Sequence, residues 1–113
     1  KQGLIVEEYR RAFQLFQQDG HFSPEEIAYM VKVYAGILEE TAKSVDVLTL
    51  VVKSFTTQMS DVKRLEIIDQ ASKQVDQLYD ELLIFNRENQ FLSLSRAKDE
   101  FDAKVTMELY GIQ

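Results

Sequence analysis

The chain has 113 residues, of which 45% are hydrophobic and 28% are charged, and its formal net charge is −6. This length and composition predict one globular domain over residues 1–113. The negative charge argues against direct binding to nucleic acid or to an anionic membrane. The absence of cysteine excludes disulfides, thiolate metal ligands and cysteine nucleophiles.

Turn-forming residues are scarce, since the chain has one proline and four glycines. Long helices are therefore favoured over a strand-rich fold, which needs a turn every 8–12 residues or so. No apolar run reaches the roughly 18 residues of a membrane span. The sequence starts at Lys1 without a signal peptide, so we expect a fragment or the mature region of a longer protein.

Apolar residues at helical spacing predict a first helix over about residues 4–17, and Asp19-Gly20 then forms a turn. Ser23, Pro24 and Glu26 form the pattern of a capping box with proline at the first helical position. A second helix is therefore predicted to begin at Pro24.

The second helix is predicted over about residues 24–57, because its apolar positions alternate in steps of four and three. An interior glycine costs about 1 kcal/mol relative to alanine, so Gly36 predicts a close helix contact. Whether the seam packs within one chain or between two stays open. Its positions are Ile27, Val31, Tyr34, Leu38, Thr41, Val45, Leu48, Val52 and Phe55.

Ser60 is the predicted N-cap of a third helix over about residues 61–90. The polar residues 86–90 interrupt the apolar rhythm, so we favour a break there, followed by a last helix over about 93–110 with Gly111 as its C′ residue. The later apolar positions are Leu65, Ile68, Ala71, Val75, Leu78, Leu82, Phe85, Leu92, Leu94, Ala97, Phe101, Val105 and Leu109.

The predicted fold is all-α. It is an elongated antiparallel helical bundle, in which a long hairpin (about 24–57 and 61–90) packs with shorter terminal helices (about 4–17 and 93–110).

Two four-residue patterns, Ser60-x-x-Lys63 and Ser95-x-x-Lys98, match the serine–lysine spacing of penicillin-binding proteins. The companion motifs of that chemistry are missing, and Ser60 is better explained as a helix cap. His21 is the single histidine; it has no partner at metal-ligand spacing, and we expect it to be solvated in its turn. The sequence therefore predicts a protein that is not an enzyme and has no metal or cofactor.

Three apolar or aromatic residues are candidates for binding a partner protein. Phe55 and Met59 lie at the corner between the two long helices, and Tyr29 lies off the main seam. Tyrosine and other large side chains often anchor protein interfaces. We expect that replacing Phe55 and Met59 with serine abolishes partner capture.

Several blocks of sequence occur in an order that resembles one bacterial family. They are FSPEEI at 22–27, LEE at 38–40, QMSDVKRLEIID at 58–69, LSRAK at 94–98 and ELYG at 108–111. In this order they resemble the TraI-like conjugal transfer proteins of Bacteroides-type conjugative transposons.

The resemblance implies a non-enzymatic component of a conjugative, type IV secretion-like apparatus in the periplasm or cell envelope. Its partners would be other subunits of the apparatus, or further copies of itself. The alternative is a cytoplasmic helical dimerisation or adaptor module that is unrelated to conjugation.

Overall fold

The computed structural model describes residues 2–53 and 60–112, and within these ranges the chain forms four α-helices and no strand. The predicted all-α architecture, with a long helical hairpin and shorter terminal helices, is confirmed. The molecule is elongated, with extents of 64 × 27 × 16 Å. The helices are α1 (Gln2–Gln18), α2 (Pro24–Lys53), α3 (Asp61–Ser95) and α4 (Glu100–Leu109).

The hairpin consists of α2 and α3, and α1 lies along one side of it. Gln2 at the start of α1 lies beside Leu48 and Ser72, whereas Glu8 accepts a hydrogen bond from the Asn86 side chain at 3.1 Å. Because α1 advances toward lower numbers on α2 and higher numbers on α3, it is antiparallel to α2 and parallel to α3. The short helix α4 packs at the opposite end from the hairpin corner.

The core is centred on Tyr34, which is almost fully buried. Its ring lies edge-on to three aromatic rings, with centroid distances of 5.0 Å to Tyr9, 5.4 Å to Phe13 and 5.4 Å to Phe85. Tyr9 and Phe13 belong to α1 and Phe85 to α3. One side chain of α2 therefore joins the three long elements by aromatic packing, worth about 0.5–1.5 kcal/mol per pair beyond area burial.

The Tyr34 hydroxyl is paired inside this core. It donates a hydrogen bond to Asn86 Oδ1 at 2.5 Å, and burial raises the pKa of Tyr34. The Asn86 amide in turn donates to Glu8 Oε1, which is paired with Arg11 at 2.7 Å. A chain of polar contacts thus leads from the buried hydroxyl to the exposed guanidinium.

Local signals define the helix ends as the sequence predicts. Ser23 Oγ accepts from the Glu26 N–H at 3.2 Å, and Glu26 Oε1 accepts from the Ser23 N–H at 3.0 Å. Ser60 Oγ accepts from the Lys63 N–H at 3.1 Å. Gly111 has φ of 69° after α4, and the backbone N–H groups of 111 and 112 bond Glu108 and Met107 in the pattern of a Schellman cap.

The favoured break at residues 86–90 is wrong, because α3 continues through them to Ser95. The polar Asn86 does not interrupt the helix; it is buried and satisfied by Tyr34 and Glu8. The last helix begins at Glu100 rather than near 93, since Asp99 caps it by accepting from the Asp102 N–H at 2.7 Å.

The predicted seam of α2 is half right. Tyr34, Thr41 and Leu48 belong to it, but the intervening buried positions include Met30 and Val51 rather than their neighbours. The predicted and the observed sets of buried positions on α2 share every second member. Packing against α3 determines which set is buried. The predicted seam residues that are instead exposed are Val31, Val52, Leu65, Leu92, Phe101 and Val105.

Gly36 does not mark a close contact. It is exposed, and a Cβ atom added there would have no neighbour within 4 Å. Among the described residues, no helix is both long enough and apolar enough to cross a membrane.

We predict that Tyr34→Phe destabilises the fold by about 1–3 kcal/mol, because Asn86 Oδ1 would lose its buried donor. Chemical denaturation of the variant and the wild type measures the difference. Tyr29→Phe is the matched control, since Tyr29 is largely exposed and should change stability by no more than about 0.5 kcal/mol. Equal stability of the two variants would contradict the assigned role of the Tyr34 hydroxyl.

Candidate interaction site

The end of the hairpin near its corner extends beyond α1. Gln2 lies in a groove lined by Val45 and Leu48 of α2 and by Ser72 and Val75 of α3. Within the described residues, α1 therefore covers α3 only from about Ser72 onward. The eleven residues from Asp61 to Ala71 correspond to about 16 Å of helix beyond the described part of α1.

Three exposed aliphatic side chains lie on this uncovered part, and we call Val52, Val62 and Leu65 the distal apolar face. Their exposed fractions are 63%, 68% and 65%. Residues seven apart lie on one helix face, so Val52 continues the row of Val45. Leu65 likewise precedes Ser72 by seven residues, and Val62 precedes Leu65 by three.

The distal apolar face thus continues the surface on which α1 packs. In the α2 row, Leu38 and Val45 are half-buried, and the next member, Val52, is exposed. In the α3 row, Tyr79 is half-buried and packs on the core, whereas Leu65 is exposed.

A different face of α2 carries Leu50, which is 70% exposed. Two residues along an α-helix are separated by about 200° around its axis, so Leu50 faces away from Val52. Leu50 is therefore a natural internal comparison for the distal apolar face.

The border of the distal apolar face on α3 is charged. Asp69 follows Leu65 by one turn, and its carboxylate is 2.9 Å from Lys73 Nζ. Asp76, two helical turns after Asp69, lines the groove beside Gln2. These three residues carry a formal charge of −1, within a chain of −6.

The sequence-predicted partner residues are distributed differently. Tyr29 is exposed, as its position off the seam predicts, and it lines a groove of about 330 Å³ with Met30, Asn89 and Leu92. Phe55 and Met59 lie outside the described residues. The sequence analysis assigned Val52 and Leu65 to the hairpin seam and did not assign Val62. A heptad pattern does not show which part of a seam another helix covers.

The opposite end of the molecule holds a polar network around His21. Its Nδ1 is 2.7 Å from Asp19 Oδ1 and its Nε2 is 2.9 Å from Asp102 Oδ2. Asp19 also accepts hydrogen bonds from the hydroxyls of Ser93 and Tyr110. The turn after α1, the end of α3 and both ends of α4 are joined here.

The network favours a protonated imidazole. The hydrogen bond to Asp102 has the largest effect on the pKa of His21 and raises it, and the bond to Asp19 raises it further. Partial burial of the imidazole lowers this pKa but does not outweigh the two bonds. Burial alone would raise the pKa of Asp19, but the bonds from Ser93, Tyr110 and His21 outweigh it and lower that pKa. The bond to His21 lowers the pKa of Asp102. Two carboxylates therefore enclose one imidazolium.

The expectation that His21 is solvated is wrong, since its side chain is 13% exposed and contacts residues 72 and 81 positions away in sequence. Local spacing carries no signal for such partners. Asp19 in the adjacent turn is the one local indication of these contacts, because its Oδ1 also accepts a hydrogen bond from the His21 backbone N–H.

Ser93, His21 and Asp102 are the residue types of a hydrolase triad, and His21 Nδ1 lies 3.1 Å from Ser93 Oγ, but the other hydrogen bonds of the serine and the imidazole do not suit that chemistry. Ser93 is fully buried and its hydroxyl donates to Asp19. Both ring nitrogens of His21 face carboxylates, so in this arrangement neither offers the free lone pair that a general base requires. The geometry suits a structural clamp.

Arg96 strengthens the same end of the bundle. Its guanidinium donates to the backbone oxygen of His21 at 3.0 Å and to Glu26 Oε1 at 2.7 Å. The bond from Arg96, together with the Ser23 N–H, lowers the pKa of Glu26 to about 2. The capping box of α2 is thereby linked to the end of α3.

Comparisons with known protein families, with curated proteins and with solved structures give no match to this chain.

We predict that the stabilisation from His21 is largest at mildly acidic pH. Because its folded-state pKa is raised, this contribution is fully present below the unfolded value of about 6.5 and is lost as pH rises through the folded value. The pKa values of Asp19 and Asp102 are lowered, so their contribution is lost only as pH falls below about 4. Thermal melting of the wild type and His21→Gln from pH 5 to 9, or so, measures the effect.

The melting difference between these proteins should shrink as pH rises, and the protection of α4 amides relative to their intrinsic exchange rates should fall in the wild type. Lys43→Gln is a control, because Lys43 lies on the exposed face of α2. A melting difference that stays constant across this pH range would contradict a charged His21.

Proposed function

We propose that this protein is a non-enzymatic structural component of a conjugative DNA-transfer apparatus related to type IV secretion, and that it acts through protein–protein contacts in the cell envelope. The sequence resemblance to conjugal transfer proteins supplies the biological setting. The structural observation that supports a contact role is the distal apolar face.

An exposed cluster of aliphatic side chains at one end of a rod suits such a role. Val52, Val62 and Leu65 are each more than half exposed, and exposed apolar side chains near one end of a protein are candidates for an interaction site. The other end of the rod is closed by aromatic packing and by the His21 network. The molecule thus separates a rigid base from an apolar end.

The contacts of His21 support the non-enzymatic part of the proposal. Every polar group around it is used to join helices, as the bonds among Asp19, Ser93, Asp102 and Tyr110 illustrate. A catalytic serine or base needs to be accessible to substrate.

A cytoplasmic dimerisation module is the second candidate. The same apolar face favours it, because an isologous pair of hairpins would bury the same surface on both copies. Sedimentation of the purified protein separates the two functions: a stable dimer that depends on Val52 and Leu65 would favour the second candidate.

We predict that the double variant Val52→Ser/Leu65→Ser reduces co-purification of apparatus subunits at least about fivefold, because apolar interface anchors typically contribute more than about 1 kcal/mol each. The measurement is quantitative mass spectrometry of tagged protein from cells that carry the parent transfer element, together with conjugation frequency. Leu50→Ser is the control, matched in exposure and placed on another face.

Melting temperatures of both variants should stay close to that of the wild type, since the replaced side chains are exposed. Co-purification of no subunit of a transfer apparatus with the wild-type protein, and a conjugation frequency unaffected by deletion of its gene, would contradict the proposed function.

A further inference from the structure

We propose that the groove beside Tyr29, which lies between α2 and α3, binds an arginine side chain of a partner protein. The inference rests on the contact role in the proposed function and adds a second contact surface, near the base of the bundle. We call this site the Tyr29 groove; its volume is about 330 Å³, and it is lined by Glu25, Glu26, Tyr29, Met30, Asn89 and Leu92.

The Tyr29 groove lies on the side of the hairpin that faces away from α1. Gln90 lines a different groove together with Glu8 and Arg11 of α1, so its side of α3 is the one beside α1. Two residues along an α-helix are separated by about 200° around its axis. Leu92 therefore lies on the opposite side of α3 from Gln90, where α1 does not pack.

The level of the Tyr29 groove along the bundle is that of the C-terminal end of α1. Glu26, at the groove edge, accepts a hydrogen bond from Arg96 at 2.7 Å. The same guanidinium donates to the backbone oxygen of His21, which follows the end of α1 at Gln18. The three long helices are therefore all present at this level, and the exposure of the groove follows from the side of the hairpin on which it lies.

The body of the Tyr29 groove is apolar. Met30 is almost fully buried, whereas Tyr29 and Leu92 are 63% and 37% exposed. An exposed tyrosine ring and an aliphatic side chain can pack on the methylene stem of an arginine, and the ring can stack on its planar guanidinium. Pockets for free ligands start at about 300 Å³ and enclose most of the ligand surface. A small groove with an exposed wall suits one side chain of a larger partner better than a free ligand.

The polar lining offers acceptors and negative charge. The Asn89 amide nitrogen already donates to the Phe85 backbone oxygen at 3.0 Å, so the side-chain oxygen is the group left for a partner. The bond from Arg96 helps to lower the pKa of Glu26 to about 2, which keeps this carboxylate ionised. Within residues 2–53 and 60–112, Glu25 forms no ion pair. A complementary side chain is therefore a cation with several N–H donors.

The charges in and around the Tyr29 groove favour such a cation. Three carboxylates and two cations lie in the groove or within about one helical turn of it, which gives a formal charge of −1. Arginine suits this arrangement better than lysine, because a guanidinium can stack on a tyrosine ring and donate to two acceptors at once. The five charged residues are Glu25, Glu26, Glu88, Lys32 and Arg96.

The test is an NMR titration of the isotope-labelled protein with end-blocked peptides of about eight residues that are neutral except at the central position. The central residue is arginine, lysine, citrulline or norleucine, and citrulline has the shape of arginine without its charge. The backbone amide of Tyr29 and the side-chain amide of Asn89 report on the groove. We expect the arginine peptide to bind at least about fivefold more tightly than the citrulline peptide and about threefold more tightly than the lysine peptide.

Tyr29→Ala should weaken binding of the arginine peptide at least about fivefold, because it removes the stacking ring. Glu25→Gln should weaken it about threefold and leave the norleucine peptide unaffected, because only the charge is removed. Leu50→Ala and Glu39→Gln are the matched controls and should leave binding unchanged, since each exposed side chain lies at least about 20 Å along α2 from the residue that it matches. The four variants should melt close to the wild type.

Equal affinity for the arginine and citrulline peptides would overturn the proposed anchor, and so would tightest binding of the norleucine peptide, since the occupant would then be apolar. Shift changes that persist in the Tyr29→Ala protein would place the peptide elsewhere and overturn the site. Absence of binding by every peptide would do the same.

The proposed function is tested separately by co-purification of apparatus subunits with the wild-type protein. If those subunits co-purify but the arginine peptide does not bind, the groove inference fails while the proposed function stands. If the arginine peptide binds with the expected pattern but no apparatus subunit co-purifies, the proposed function fails while the groove inference stands.

Discussion

The position of Tyr34 determines how the three long elements fit together. Its ring contacts α1 through Tyr9 and Phe13 and contacts α3 through Phe85. Its hydroxyl bonds Asn86, which reaches Glu8 of α1. The bond between Asn86 and Glu8 requires the two residues to lie at the same level along the bundle. A shift of α1 along the hairpin would therefore leave the Asn86 amide without its acceptor. The bond between Asn86 and Glu8 thus fixes the position of α1 along α3.

The sequence predicts those features whose causes are local. The capping pair of Ser23 and Glu26, the cap at Ser60 and the left-handed Gly111 each require residues within four positions of one another, so the pattern and the structure agree. Long helices follow from the apolar spacing and the scarcity of breakers. Asn86 and His21 differ because the groups that satisfy them are 52 to 81 residues away. A polar residue whose partner is distant looks like an interruption or a solvated turn until the helices are assembled.

The choice between two seams on α2 shows the same limit at the level of packing. Both registers contain Tyr34, Thr41 and Leu48, and both alternate in steps of four and three. Met30 rather than Val31 is buried because the hairpin packs as a pair of helices, while α1 adds a second contact surface along only part of its length. The periodicity identifies the apolar side of α2. The packing of the neighbouring helices then determines which residues at the border of that side are buried. Phe55 and Met59, the partner residues that the sequence predicts at the hairpin corner, lie outside the described residues.

The two ends of the molecule are stabilised by opposite kinds of interaction, and this division bears on function. At the base, His21 is held between Asp19 and Asp102 while Arg96 joins the capping box. These directional bonds fix geometry and respond to pH. At the other end, Val52, Val62 and Leu65 are exposed and add no directional constraint. The register set by Tyr34 therefore aligns the long helices, while the bonds of His21 and Arg96 attach α4 and the end of α3 to the start of α2.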